Sequence, residues 1–151
     1  LNESAIDLIF KIKKRPLDKN LILLVDSYSS IRNFVINLNP DQEKLINEKW
    51  PGPYTFLFKY NKTLPSHLMN DTGKIAIRVS NHLPIKQLLE MYKGFMVSTS
   101  ANLSGQSNIN SPKKILETFT NDDIAYYDET LGNQLKPSQI IDLETGIILR
   151  E

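Results

Sequence analysis

The stretch Lys74–Ser80, KIAIRVS, decides the fold class because every second residue is apolar and β-branched. These apolar positions predict one face of a strand, and they are Ile75, Ile77 and Val79. The intervening positions, which face the other way, are Lys74, Ala76, Arg78 and Ser80. We therefore expect a strand whose second face carries two cations.

Other stretches predict the remaining strands of a sheet. Tyr54–Tyr60, YTFLFKY, alternates in the same way and places four aromatic rings on one face. Asn20–Val25, NLILLV, is a continuous apolar run, which indicates a strand covered on both faces. Phe95–Val97 is predicted to be a short strand. Near the end of the chain, SQIIDL and GIILRE are predicted to form a hairpin through ETG.

Helices are predicted between the strands from caps and helix breakers. Three predicted helices begin after the caps Asn2, Asn39 and Ser111. Two more are predicted over Ser30–Leu38 and Pro84–Lys93. Pro16 ends the first helix, Trp50 ends the helix that follows Asn39, and Gly94 lies just beyond Lys93. The expected buried side of the last helix consists of Ile115, Leu116 and Phe119. Strands that alternate with helices and then pair as a hairpin predict an α/β domain with a mixed sheet over residues 1–151.

Composition excludes several classes of protein. The 151 residues carry a formal net charge of +1, so bulk charge does not indicate a nucleic-acid or membrane-surface protein. The absence of cysteine excludes disulfides, thiolate zinc sites and cysteine nucleophiles, and makes a reducing cytoplasm the expected location. The sequence also lacks the glycine-rich phosphate loops and the H-E-x-x-H zinc motif.

Cations in two segments suggest a site for an anion. Lys13 continues the apolar stripe of the first helix, so we expect its ammonium to point toward the interior or a cleft. Arg78 and Lys74 share a strand face with Ala76, where a buried cation requires a negative partner. A local salt bridge or an exposed sheet face is the alternative explanation for each cation.

The loop Val97–Gly105, VSTSANLSG, follows a predicted strand and contains four hydroxyl side chains and one carboxamide. Ligands commonly bind outside the carboxyl ends of strands in α/β folds. Hydroxyl and backbone N–H groups in such a loop can hold phosphate oxygens, while Lys and Arg supply the charge. The alternative is that Ser and Asn satisfy only the backbone of a turn.

Several motifs together resemble one family. IKKRPLDKNLILLV, WPGPYTFLF, KIAIRVSNHLP, VSTSANLSG and KPSQIIDLETGIILRE resemble, in order and spacing, the YrdC family of threonylcarbamoyl-adenylate synthases. The resemblance implies a YrdC-like α/β fold with a twisted mixed sheet and flanking helices around a basic cavity. It also implies that L-threonine, bicarbonate and ATP give threonylcarbamoyl-AMP and pyrophosphate. The product would then supply a separate transferase complex that modifies an adenosine in tRNA.

The resemblance also assigns site residues. Matching the K-x-R and S-x-N motifs makes Lys13 and Arg15 the expected catalytic residues. The expected ATP-binding residues are Lys13, Arg15, Lys19, Lys74, Ser100, Asn102, Asn108 and Arg150. The expected threonine-binding residues are Arg78, Ser98 and Ser138. Mg²⁺ is expected with ATP, bound largely through phosphates and water rather than by a protein metal site.

One departure from the family pattern lies at the start of the chain. The leading strand of the family and its Pro-Thr turn have no counterpart before Leu1. We therefore expect the chain as given to be catalytically impaired and to expose a sheet edge.

Two other functions compete with the synthase. An RNA-binding module could hold tRNA or double-stranded RNA on a basic concave surface, although the near-neutral net charge weighs against it. A carbamoyl-transfer domain of the hydrogenase-maturation type also resembles this family. The neighbouring domains that accompany it are not visible in this sequence.

Overall fold

The structure is a computed structural model that describes residues 2–17, 19–120, 124–127, 129, 132 and 136–151. The chain divides into two compact units. The sheet unit comprises Asn20–Ser98 and Gly132–Glu151, and the loop unit comprises Asn2–Lys19 and Thr99–Leu131. The assignment of residues 1–151 to one domain remains a prediction.

The sheet unit is built on a six-stranded mixed sheet within the described residues. Its strands are β1 (Ile22–Val25), β2 (Tyr54–Lys59), β3 (Lys74–Val79), β4 (Met96–Ser98), β5 (Gln139–Asp142) and β6 (Ile148–Arg150). Their order across the sheet is β4-β1-β3-β2-β5-β6. The pairs β1–β3 and β2–β5 are parallel and the other three are antiparallel. The predicted mixed α/β architecture is therefore confirmed.

One face of this sheet packs on the hydrophobic core. The core residues of the strands are Leu23, Val25, Phe56, Phe58, Ile75, Ile77, Val79 and Ile141. The rings of Trp50 and Phe56 meet edge to face, with their centroids 5.3 Å apart. The strict alternation of β2 and β3 thus places the predicted apolar faces inside, as expected.

The opposite face of the sheet carries the polar side chains, and we call it the polar face. In the register of the sheet, Leu24 pairs with Arg78, Thr55 with Ile140, and Ile140 with Arg150. Directly paired residues point to the same side, and continuing the β2–β3 register places Thr55 opposite Arg78. Ser98 pairs with Ile22, two residues before Leu24, and therefore also lies on this face. The pleat thus brings together residues that are far apart in sequence.

Four α-helices lie within the described residues: α1 (Glu3–Ile12), α2 (Pro40–Lys49), α3 (Leu83–Tyr92) and α4 (Pro112–Thr118). Asn2 caps α1, and Asn39 and Gln42 form the predicted capping box of α2. Helices α2 and α3 belong to the sheet unit, whereas α1 and α4 belong to the loop unit. In the part of the chain that the structure describes, no helix has the length and apolar character needed to cross a membrane.

The prediction of a helix over Ser30–Leu38 is wrong. Only Ser29–Ile31 forms a short 3₁₀ helix. Val35 instead makes an antiparallel bridge to Tyr60, and the Ile36 amide donates to the Lys59 carbonyl oxygen at 2.9 Å. Extended pairing with the end of β2 therefore replaces the helical hydrogen bonds.

Two details of the other predicted helices also differ. Lys93, and not Gly94, adopts the left-handed conformation at the end of α3, with φ of 51°. Ser111 precedes α4 but makes no side-chain capping bond, and Leu116 is 48% exposed rather than buried. Because α4 spans only seven residues, it presents little apolar surface to a core.

Candidate functional site

Lys13 contacts the part of the predicted phosphate-binding loop that belongs to the loop unit, from Thr99 onward. Its side chain is buried, with a residue exposure of 6%. The ammonium donates to the carbonyl oxygens of Ser100 and Asn102, both at 2.5 Å, and lies 3.4 Å from Asn102 Oδ1. All three Lys13 donors therefore point at one loop, and the predicted inward direction of this side chain is confirmed.

The loop that accepts these bonds is also tied internally. Ser100 Oγ donates to Asn102 Oδ1 at 2.7 Å, and Asn102 Nδ2 donates to the Gln106 carbonyl oxygen at 2.6 Å. The Ser104 amide donates back to the Lys13 carbonyl oxygen at 3.0 Å. Gly105 has φ of +81°, a conformation that favours glycine. The S-x-N pair predicted from sequence thus forms one hydrogen-bonded unit with Lys13.

Two cations, Lys13 and Arg15, lie near each other at this loop. Burial lowers the pKa of Lys13, and the neighbouring Arg15 guanidinium lowers it further. The acceptors of the ammonium are uncharged carbonyl and amide oxygens, so they do not neutralise it. An ammonium whose acceptors are uncharged, next to a second cation, favours the binding of an anion.

Two predicted ATP-binding residues of the loop unit lie at the surface. Lys19 and Asn108 are both exposed. Neither side chain has a recorded hydrogen bond within the described residues. Their role in ATP binding stays a prediction.

The polar face of the sheet unit holds a second cluster, which we call the arginine cluster: Thr55, Arg78, Ser138 and Arg150. Arg78 Nε donates to the Gly52 carbonyl oxygen at 3.0 Å. Arg150 donates through Nε and Nη2 to the Ser138 carbonyl oxygen, at 2.9 and 2.7 Å, and through Nη2 to Ser138 Oγ at 3.0 Å. Three of these four residues were predicted to bind substrate.

The two arginines of this cluster affect each other's electrostatics. Burial lowers the pKa of the Arg78 guanidinium, and the positive charge of Arg150 lowers it further. Burial also lowers the pKa of Arg150. Within the described residues neither arginine forms a salt bridge with a carboxylate. Because guanidinium groups stay protonated at neutral pH, the cluster has two positive charges that an anionic ligand can balance.

Lys74 lies in a different environment on the same face. Its ammonium forms salt bridges with Asp142 at 2.6 Å and Glu144 at 2.9 Å, and Lys59 also pairs with Glu144. The hydrogen bonds to Asp142 and Glu144 raise the pKa of Lys74. At about 3.3 Å per residue, four residues of β3 separate Lys74 from Arg78 by roughly 13 Å. Its role in ATP binding stays a prediction, although two carboxylates already balance its charge.

Thr55 and Asp142 are two buried polar residues that the sequence patterns did not predict. Thr55 is fully buried and Asp142 is 8% exposed, although both are polar. Asp142 lies 68 residues from Lys74, and Thr55 lies 83 residues from its partner Ser138. The only sequence signal was Thr55 itself, a hydroxyl in a strand flanked by aromatic residues.

A cavity of about 550 Å³ lies at the carboxyl ends of β1 and β3, where Val25 and Val79 line it. Its other lining residues include apolar Leu89 and Phe95 and charges of both signs, among them Lys86 and Glu90. None of the predicted substrate residues lines it. Val25 and Val79 contribute from the core face and Ser80 from the other face of β3, and the four residues of the arginine cluster are not among its lining residues. Its mixed charge does not favour a phosphate.

No metal centre is formed by the residues that the structure describes, since they contain no group of three or more His, Asp or Glu side chains able to share an ion. A resident metal therefore has no candidate ligand set there. That Mg²⁺ is held largely through ATP stays a prediction.

The mixed sheet, with a core face and an arginine-bearing polar face, defines an α/β protein suited to small anionic ligands. The family model Sua5/YciO/YrdC, described as "Telomere recombination", matches residues 1–151. The chain belongs to this family.

Two curated relatives are named "Threonylcarbamoyl-AMP synthase". The protein of Pseudoalteromonas translucida (strain TAC 125) is 36% identical over 152 residues, which cover 99% of this chain and 81% of the relative. The protein of Buchnera aphidicola subsp. Schizaphis graminum is 34% identical and covers 99% of this chain and 79% of its own length.

Solved structures support the same fold. P. abyssi Sua5 complexed with L-threonine superposes with a TM-score of 0.88 at 26% identity. The match covers 99% of this chain but 44% of Sua5, so this chain spans less than half of that protein. E. coli YciO matches with a TM-score of 0.80 at 28% identity, over 98% of this chain and 73% of YciO.

Proposed function

We propose that this chain is an L-threonylcarbamoyladenylate synthase. Two relatives, of which the matches cover 81% and 79%, have that activity as their name, and the Sua5 structure was determined with L-threonine. The observation that carries the proposal is the pair of guanidinium groups, Arg78 and Arg150, which no carboxylate neutralises within the described residues. An amino-acid carboxylate and a nucleotide phosphate are anions that such a pair can bind.

The proposed reaction joins three substrates. The threonine amine attacks bicarbonate or carbon dioxide to form a carbamate, and the carbamate oxygen then attacks the α-phosphorus of ATP. The bond from the α-phosphorus to the bridging oxygen breaks, and pyrophosphate leaves. With bicarbonate as the carbon source, water is the remaining product. Catalysis of this kind depends mainly on positioning and on stabilising charge on phosphate oxygens.

Threonine binding is assigned to the polar face. The Arg78 Nε bond to Gly52 orients the guanidinium plane, and in the described part of the chain neither Nη group has a partner, so both can meet a carboxylate in a two-pronged geometry that lysine cannot reproduce. Ser98 and Ser138 lie on the same face and supply hydroxyls. The fold supports this assignment, because Arg78, Ser98 and Ser138 all project from the face of the sheet opposite the hydrophobic core.

ATP binding is assigned to Lys13, Arg15, Lys19, Lys74, Ser100, Asn102, Asn108 and Arg150. Lys13 and Arg15 are the proposed catalytic cations because their charges can stabilise the departing pyrophosphate. The Lys13 donors are already used by the loop, so this residue acts on phosphate through its charge while it holds Ser100 and Asn102 in place. Mg²⁺ bound together with ATP would offset negative charge on the triphosphate and so assist the positive charges of Lys13 and Arg15.

The partners of the reaction follow from its product. A mixed anhydride of a carbamate and AMP is an activated acyl donor, so a transferase must consume it. We propose that this transferase complex modifies an adenosine in tRNA, and that the chain acts in the cytoplasm, where ATP and threonine are available. Contact of this chain with tRNA or double-stranded RNA is a further prediction.

The test is pyrophosphate release with ATP while threonine and bicarbonate are omitted in turn. We expect release to require both, and threonylcarbamoyl-AMP to appear in equal amount by mass spectrometry. Release that does not depend on threonine would contradict the proposal. Salt-sensitive RNA binding without turnover would instead favour an RNA-binding module. Another solved structure, full-length HypF, superposes with a TM-score of 0.72 at 19% identity. This similarity shows a shared fold and does not support a shared function.

A further inference from the structure

Thr55 is a buried hydroxyl that the proposed reaction has not yet used. It lies on β2 with a relative exposure of 0%. The sheet register places it on the polar face, paired with Ile140 and opposite Arg78. A threonine in that position adds a polar group to the buried interior and therefore needs a hydrogen-bond partner.

The partner of Thr55 is Ser138. The two hydroxyl oxygens are 2.8 Å apart, and Ser138 is itself 5% exposed. Ser138 Oγ also lies 3.0 Å from Arg150 Nη2. Arginine can only donate, so Ser138 Oγ is the acceptor of that bond.

Hydrogen-bond accounting gives the direction of the Thr55–Ser138 bond. The structure records Ser138 as the partner of the Thr55 hydroxyl within the described residues. Among those residues, either direction leaves one hydroxyl hydrogen without a protein acceptor; at Thr55, which is 0% exposed, that hydrogen would be shut off from water and ligand, whereas at Ser138, which is 5% exposed, it can reach a bound ligand. Thr55 therefore donates, and Ser138 Oγ accepts two bonds, one from Thr55 and one from Arg150.

The consequence concerns the proton of Ser138. With both lone pairs engaged, the Ser138 hydroxyl has only its O–H left, and that group can only donate. We propose that Thr55 is a positioning residue that makes Ser138 an obligatory donor to an acceptor oxygen of the threonine substrate, such as its carboxylate. This inference rests on the proposed function, because it assumes that threonine binds at Ser138.

The main test compares threonine and ATP kinetics of Thr55→Val and Thr55→Ser. Valine keeps the shape but removes the hydroxyl, and serine keeps the hydroxyl. We expect Thr55→Val to raise the threonine KM roughly 3- to 10-fold, the range for one lost hydrogen bond, while the ATP KM changes less than twofold. Thr55→Ser should keep the threonine KM within about twofold of the wild type. Thr55→Ala is the second variant without a hydroxyl, should the valine variant fold poorly.

A double-mutant cycle separates positioning from general destabilisation. If Thr55 acts through Ser138, Thr55→Val should have no further effect on the threonine KM in a Ser138→Ala background. Ser80→Ala is the matched control, because Ser80 is also a buried hydroxyl in the sheet unit and accepts from the His82 amide at 3.2 Å. It should leave the threonine KM unchanged. An equal effect of Thr55→Val in both backgrounds, or no effect in either, would overturn the inference.

A second cycle needs no substrate. Urea unfolding of the wild type, Thr55→Val, Ser138→Ala and the double variant should show non-additive losses, because the first substitution already removes the shared bond. Additive losses would overturn the bond itself. If the wild type shows no threonine-dependent pyrophosphate release but the unfolding cycle is non-additive, the proposed function fails while the Thr55–Ser138 bond stands.

Discussion

At the scale of single residues, the two clusters use charge in different ways. Lys13 directs all its donors at backbone and amide oxygens of one loop, so it shapes the loop as well as charging it. Within the described residues, Arg78 bonds to the protein through Nε, and its Nη groups are the proposed ligand donors. Lys13 therefore stabilises a loop, whereas Arg78 is the proposed ligand-binding cation.

Replacing Arg78 by Lys tests the two-pronged contact. The variant keeps the charge but loses the planar fork, so we expect the threonine KM to rise on the order of tenfold, with a smaller change in the ATP KM. Initial rates of pyrophosphate release at varied threonine check this. Arg32→Lys, at an exposed position, is the matched control and should behave like the wild type. An unchanged threonine KM in Arg78→Lys would remove this residue from its role.

Replacing Lys13 by Met tests the loop. The side chain remains similar in length, but three acceptor oxygens of the loop lose their donor. We expect kcat/KM for ATP to fall at least about tenfold, and the amides of residues 99–109 to exchange hydrogen faster. Mass spectrometry of hydrogen exchange measures the second effect. Lys11→Met, at an exposed position of α1, is the control, and equal exchange in both variants would contradict the role of Lys13.

At the scale of elements, the polar face of the sheet has two ends with different charge balance. At the start of β3, Lys74 is neutralised by Asp142 and Glu144. Arg78, near the end of β3, and Arg150, on β6, have no carboxylate partner in the described part of the chain. The ion pairs hold β3, β5 and the following turn together, while the arginines leave room for ligand chemistry.

The Lys74–Asp142 pair predicts a pH dependence of stability. Burial by itself raises the pKa of Asp142, but hydrogen bonds from Lys74 and from the Glu144 and Thr145 amides outweigh it, so the folded pKa lies below its ordinary value of about 3.8. A lowered folded pKa gives stability that is present above the unfolded pKa and is lost as pH falls through the folded pKa. The raised pKa of Lys74 gives stability that is lost only as pH rises above about 10.5.

Asp142→Asn should therefore reduce the free energy of unfolding at pH 7 by about 1 kcal/mol and flatten its decline between about pH 5 and pH 2. Urea unfolding at a series of pH values measures this. Lys74→Met should flatten the same acid limb, because it removes the group that lowers the Asp142 pKa. An acid limb that stays as steep in both variants would show that the pair does not stabilise the fold.

At the scale of the whole molecule, the chain has a balanced net charge of +1 and yet places Lys13 beside Arg15 and Arg78 beside Arg150. Bulk charge therefore says little about its ligands, whereas local charge says much. Family membership over residues 1–151 agrees with this interpretation.

The whole-molecule prediction concerns magnesium. We expect Mg²⁺ to arrive with ATP, bound largely through phosphates and water. EDTA should abolish pyrophosphate release, and Mg²⁺ should restore it at concentrations that track the ATP concentration. The measurement is a Mg²⁺ titration at several fixed ATP concentrations. Activity that persists after dialysis against EDTA would indicate a tightly held metal instead.

The sequence by itself determined the features that depend on local spacing. The alternation of Lys74–Ser80 and Tyr54–Tyr60 determined which side chains enter the core, and caps such as Asn2 and Asn39 determined helix starts. The helix predicted over Ser30–Leu38 failed because its backbone found a distant partner at the end of β2. Local patterns carry no information about such a partner.

The candidate site divides in the same way. The inward direction of Lys13 and the position of Arg78 off the core face followed from the periods of a helix and a strand. The substrate-binding roles of Ser138 and Arg150 were predicted only from the family resemblance, and no role was predicted for Thr55. Only the tertiary structure paired Thr55 with Ser138 and Lys74 with Asp142, because strand order and register decide which side chains meet across a sheet. Those choices depend on packing of the whole sheet rather than on neighbouring residues.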